Sequence, residues 1–129
     1  MSLMNPLLLA VSEMGGYPNF TPLYESLGFE VKTETSMRKV LKGLKKQVPD
    51  VIVAEFNYQS DFRDRTSSLE SMMSVVQRHQ GVRVVIFYDI EHQEQLAKLQ
   101  ARYQIDAVLA FPIEEDALSS SITPHFTPE

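Results

Sequence analysis

Residues 49–56, PDVIVAEF, restrict the fold of this chain more than any other stretch. Val51, Ile52, Val53 and Ala54 follow one another without a polar residue, so a strand formed here has no wet face. A strand buried on both sides belongs in the middle of a parallel sheet with helices above and below it. The run ends in a carboxylate, Glu55. In open parallel sheets chemistry collects just beyond the carboxyl ends of the strands, which makes Glu55 the first candidate functional residue.

The remaining sequence alternates short strands with helical segments. Residues 7–11 (LLLAV) read as a fully apolar strand, followed by a loop containing Gly15 and Gly16 and a helix from residue 18 or 19 to 27, stopped by Gly28. Residues 29–35 (FEVKTET) alternate in polarity, which predicts an edge strand with one wet face. Met37, Val40, Leu41 and Leu44 fall at helical spacing and predict an amphipathic helix over 36–47. Beyond the strand carrying Glu55 come a polar loop over 57–67 and a helix capped by Ser67 or Ser68, with Leu69, Met72, Met73 and Val76 as its buried stripe. Gly81 breaks that helix, and residues 82–88 (VRVVIFY), β-branched and aromatic, form a fourth strand. A helix over 91–103 buries Leu96, Leu99 and Tyr103. A fifth strand over 107–111 (AVLAF) is interrupted by Pro112, and a short helix over 114–122 has acidic residues at its start, as the helix dipole prefers.

Five β-α units joined by crossovers of this length require parallel pairing and right-handed connections. The predicted fold is therefore α/β: one parallel five-stranded sheet between two helix layers. Residues 4–122 are expected to form one domain and 123–129 a tail, with Met1-Ser2-Leu3 read as a leader ahead of Met4.

Composition removes several function classes. The net charge of −5 argues against nucleic acid as the main partner, because phosphate binding needs a basic surface. No apolar run approaches the ~20 residues that span a bilayer, so no membrane role is expected. Residues 7–11 are too short for a secretory signal core and follow no basic residue. Without cysteine there is no disulfide, thiol nucleophile or cysteine zinc site. His79, His92 and His125 lie in separate elements without metal-ligand spacing. Ser12 beside Glu13 has no local histidine to make it a nucleophile. The expectation is a cytoplasmic domain with no cofactor and no catalytic set.

Three stretches carry a family resemblance. PDVIVAEF resembles the third strand of response-regulator receiver domains, VRVVIFYD the fourth, and IDAVLAFP the fifth with its trailing proline. The resemblance spans residues 6–122 and implies the flavodoxin-like (βα)5 three-layer sandwich with strand order 2-1-3-4-5. It also implies positions for chemistry: an acidic pair after the first strand for magnesium, an aspartate ending the third strand as phosphoacceptor, a Thr or Ser ending the fourth, and a lysine before the proline of the fifth. At those positions this chain has Ser12 and Glu13, then Glu55, Tyr88, and Phe111 ahead of Pro112, with Val108 at the aromatic switch position.

Each departure matters physically. Glu13 and Glu55 supply two carboxylates, enough for a weak cation site but for no more. Phosphoryl transfer is largely positioning and charge stabilisation, and Phe111 puts a phenyl ring where an ammonium would meet developing negative charge. Glutamate reaches one methylene further than aspartate, a displacement on the order of 1 Å that can cost ~100-fold in rate. The resemblance therefore implies a pseudo-receiver that has kept its fold for protein contacts. Glu55 as a mimic of phosphorylated aspartate is a weak reading, since the residues that would sense its charge are replaced.

Other features remain open at this level. Gly15 and Gly16 with Glu55 define an alternative, a cleft for a small molecule or cofactor. Arg38, Lys39, Lys42, Lys45 and Lys46 give one helix five of the chain's 12 basic residues, either a solvated exterior or a face for an acidic partner. Phe62, in a polar loop beside Glu55, is a lid, a partner contact or an inert side chain. Tyr103 and Val108 on or near an unusually apolar edge strand mark either a surface for a protein partner, including a second copy or a fused output domain, or simple burial.

Overall fold

The computed structural model describes residues 6–12, 20–56, 67–79 and 81–122. The elements in chain order are β1 (Leu7–Val11), α1 (Thr21–Ser26), β2 (Glu30–Glu34), α2 (Met37–Leu44) and β3 (Val51–Glu55), then α3 (Ser67–Val76), β4 (Arg83–Tyr88), α4 (Gln93–Arg102), β5 (Ala107–Ala110) and α5 (Glu115–Ile122). All strand pairs are parallel and the order is β2-β1-β3-β4-β5, as the sequence predicts.

Strand burial follows the polarity of each run. All five residues of β3 are buried, and β3 lies between β1 and β4. β2 carries its charged residues at the sheet edge, and none of its five residues is fully buried. The pleat divides the core in two. Ile52, Ala54, Val84 and Ile86 face α2, α3 and α4, where they meet Val40, Leu44, Met72, Met73, Leu96 and Leu99. Val51, Val53, Val85 and Phe87 face α1 and α5, where they meet Phe20, Tyr24, Leu118 and Ile122. The Phe20 and Phe87 rings meet edge to face, 5.8 Å between centroids.

Local chemistry explains where the elements start and stop. Ser36 is extended and its side chain accepts from Lys39 N, capping α2. α1 starts at Thr21 with Pro22 in its first turn and gives way at Gly28, whose φ of +97° suits glycine. Several boundaries differ from the sequence reading, α2 among them, which ends at Leu44 rather than at 47. Ser67 and Ser68 lie inside α3 rather than capping it. The fourth helix opens with a 3-10 turn, Ile90–His92, because the Asp89 side chain accepts from Glu91 N and tightens the entry. β5 stops at Ala110: Phe111 N still donates to Tyr88 O at 2.8 Å, but Pro112 has no N–H with which to extend the ladder.

Two aspartates tie down the amino ends of the strands. Asp50, just ahead of β3, accepts from Leu7 N at the start of β1 at 2.8 Å. Asp106, just ahead of β5, accepts from Val84 N at the start of β4 at 2.7 Å. Arg83 joins the second of these to α5, donating from Nε to the Ser121 carbonyl with its guanidinium 3.9 Å from Asp106. No described helix is long and apolar enough to cross a membrane.

Candidate functional site

The site lies at the carboxyl ends of β1 and β3. The two strands pair in parallel with Val11 opposite Ala54, so the next residue of each, Ser12 and Glu55, come side by side. Ser12 N donates to Glu34 O at 2.9 Å, which holds Ser12 against the sheet. From there Ser12 Oγ donates to Glu55 Oε2 at 2.8 Å. Glu55 is only 9% exposed, a buried charged residue at the end of a central strand. A bond from a neutral hydroxyl to a carboxylate this buried is charge-assisted and fixes the side chain.

Of the residues the sequence reading grouped into a pocket, Ser12 and Glu55 are thus in direct contact. Tyr88 is not turned toward them. It is buried on the opposite face of the sheet from Phe87, packed with Ala54, Phe56 and Leu96 as part of the core. The ladder partner of Glu55 is Phe87, whose ring belongs to the α1–α5 side. Phe111 follows β5 and is 45% exposed, an aromatic ring at the rim. Glu13, Gly15, Gly16 and Phe62 lie outside the described residues, as do the tail and His125. Among the described residues no three of His, Asp and Glu come together to hold a metal ion.

The fifth-strand surface is intermediate in character. All four residues of β5 are half-buried, Val108 packing toward the α2–α4 side and Leu109 toward α1 and α5. Tyr103 is half-buried beneath the Arg102 guanidinium, which sits 5.7 Å from its ring centroid. Sequence reasoning placed Ser12 and Glu55 in one pocket but missed their bond, which depends on the β1–β3 register that sets Val11 opposite Ala54.

Fold and site together define a flavodoxin-like fold in which, among the described residues, one carboxylate, Glu55, is buried at the carboxyl end of the central strand. No family model and no curated protein matches the sequence, whereas solved structures match the fold. A response-regulator receiver domain protein from Clostridium thermocellum superposes with a TM-score of 0.72 at 16% identity, covering 93% of each chain. A response regulator from Burkholderia multivorans gives 0.72 at 13% identity over 98% of both chains. A chemotaxis response regulator of Vibrio cholerae gives 0.71 at 17% identity, covering 95% of this chain and 100% of its own. At these identities the likeness establishes the fold: the chain folds as receiver domains do.

Proposed function

We propose that this chain is a pseudo-receiver of two-component-type signalling, a non-enzymatic cytoplasmic domain that acts by contacting a protein partner and takes no phosphoryl group. The observation that carries this reading is the Ser12–Glu55 bond at 2.8 Å. A carboxylate held by a serine hydroxyl occupies the place where a receiver keeps a reactive aspartate among acidic residues and magnesium. Ser12, Glu13, Glu55 and Phe111 are then the remnant of a phosphoacceptor pocket, with Tyr88, at the fourth-strand position, turned into the core instead. Glu55 is one methylene too long for the in-line geometry. Tyr88 brings core-filling bulk where a small hydroxyl would act, and Phe111 offers no cation to the developing charge. The receiver fold, intact on both faces of the sheet, supports a role in which shape is what the partner reads.

The test is incubation with acetyl phosphate and magnesium followed by intact-mass measurement. The expected result is an unchanged mass; a stable gain of one phosphoryl group on Glu55 refutes the proposal. A thermal-shift screen with magnesium, nucleotides and flavins is expected to leave the melting temperature in place. A large shift with any of them would favour a ligand-binding cleft instead.

A further inference from the structure

α2 and the turn after it carry Arg38, Lys39, Lys42, Lys45 and Lys46 on a chain of net charge −5. The structure adds a cation from a second element. α3 packs beside α2, and the turn at its end brings Arg78, with His79 next to it, to the same place across a groove of about 590 Å³. The floor of this groove is apolar: Leu41 and Val75 are half-buried, and Val48 is 37% exposed at one end. Its rim is Lys45, Lys46 and Arg78, all exposed, with no carboxylate in the lining.

The spacing gives the groove a direction. Leu41, Leu44, Lys45 and Val48 stand at i, i+3, i+4 and i+7, and so do Ser71, Ser74, Val75 and Arg78. On each side the helix supplies the first residues (Leu41 and Leu44 from α2, Ser71, Ser74 and Val75 from α3) and the segment after it supplies Lys45, Val48 and Arg78, so the groove runs along the two helices toward their carboxyl ends. From Ser71 to Val75 the helical part extends about 6 Å at 1.5 Å per residue, a little over one turn.

We propose that this groove docks an acidic amphipathic helix of a partner protein. Such a helix would set its apolar stripe on Leu41 and Val75 and its carboxylates against Lys45, Lys46 and Arg78, the helix-in-groove mode of recognition. Electrostatic complementarity selects the sign of the partner and speeds encounter, since the rest of the chain repels acidic molecules. An apolar floor between the cations is poorly matched to a phosphate backbone. A groove whose lining exposes one valine, Val48, and no Phe, Tyr or Trp side chain is poorly matched to a membrane. The inference rests on the reading of the domain as an interaction module, but the groove is separate from the Glu55 site. The mass measurement above does not depend on it, so the failure of one is distinguishable from the failure of the other.

The probe is a synthetic peptide about four turns long, with leucines at i, i+4 and i+7 and glutamates on the flanking positions, titrated into isotope-labelled protein and followed by NMR. The expected result is saturable shifts centred on Leu41, Lys45, Val75 and Arg78 that weaken with added salt. The Lys45→Glu/Arg78→Glu variant, altered only at exposed positions, should keep its melting temperature and bind at least about tenfold more weakly. Shifts centred elsewhere, or equal binding by a scrambled peptide of the same composition, would overturn the proposal. Tighter binding to a single-stranded oligonucleotide or to phosphatidylserine vesicles would overturn it too, and would reassign the groove to nucleic acid or membrane.

Discussion

Replacing Ser12 by alanine should destabilise the protein, but only while Glu55 is present. Ser12 Oγ and Glu55 Oε2 are 2.8 Å apart, and the carboxylate is 9% exposed. A hydrogen bond to a charged group contributes roughly 1.5–3 kcal/mol. Because the pair is only partly buried, the lower end applies, about 1.5 kcal/mol. For a domain of this size that corresponds to a loss of about 6 °C in Tm. At a urea slope of ~1.5 kcal/mol per molar the midpoint falls by about 1 M. Glu55→Leu removes the bond to Ser12 together with the other contacts of Glu55, so it serves as the background against which the Ser12 bond is measured. The single substitutions mix these effects, whereas the double-mutant cycle separates them. In the Glu55→Leu background, Ser12→Ala should cost less than about 0.5 kcal/mol. Urea unfolding of the four proteins measures all the terms. An equal cost for Ser12→Ala in both backgrounds would mean that the bond contributes nothing, and the account of Glu55 as a fixed carboxylate would fall.

Burial raises the Tyr24 phenol well above its ordinary value, so it stays neutral in the folded chain while the unfolded chain loses its proton from about pH 10 upward. The unfolded state then binds fewer protons, and stability falls with rising pH above that point; Tyr24→Phe should flatten this alkaline decline in pH-dependent melts. Gly28 has φ +97° and nothing within 4 Å of where a Cβ would sit. Gly28→Ala should therefore cost about 1–2 kcal/mol from the backbone alone, read as a lowered Tm with an unaltered fold by circular dichroism. Arg102 pairs with Glu70 at 3.0 Å, but its side chain is 62% exposed. Arg102→Ala should thus change stability by less than about 1 kcal/mol, with a difference that shrinks further in high salt.

The fold was legible in the sequence because its strands have different surroundings that leave different patterns. The unbroken apolar run at Val51–Ala54 marked a central strand and the alternation through Val31, Lys32 and Thr33 an edge, although the equally apolar Ala107–Ala110 forms the other edge as β5. Boundaries were less legible wherever one side chain decided them, as Asp89 does at the 3-10 turn and Pro112 at the end of β5. The site was half legible. Strand ends pointed to Glu55 and Ser12, but their bond joins residues 43 positions apart and depends on a register that no local pattern displays. Tyr88 shows the opposite failure. The family resemblance placed it in the pocket, while the pleat sends alternate residues to opposite faces and delivers its ring to the core. The groove beside α2 was equally hidden, since Arg78 and His79 come to Lys45 only through helix packing.

Asp50 and Asp106 fasten the sheet at the rim opposite Glu55. Each joins two strands through a backbone N–H, so neither depends on what the loops at the other rim contain. Such a division of labour lets one end of a molecule drift while the other keeps its shape. Residues at the carboxyl rim can be exchanged for a serine, a longer acid or an exposed phenyl ring without loosening the frame that presents the helices. The two aspartates thereby hold the strand register independently of whatever chemistry the opposite rim carries.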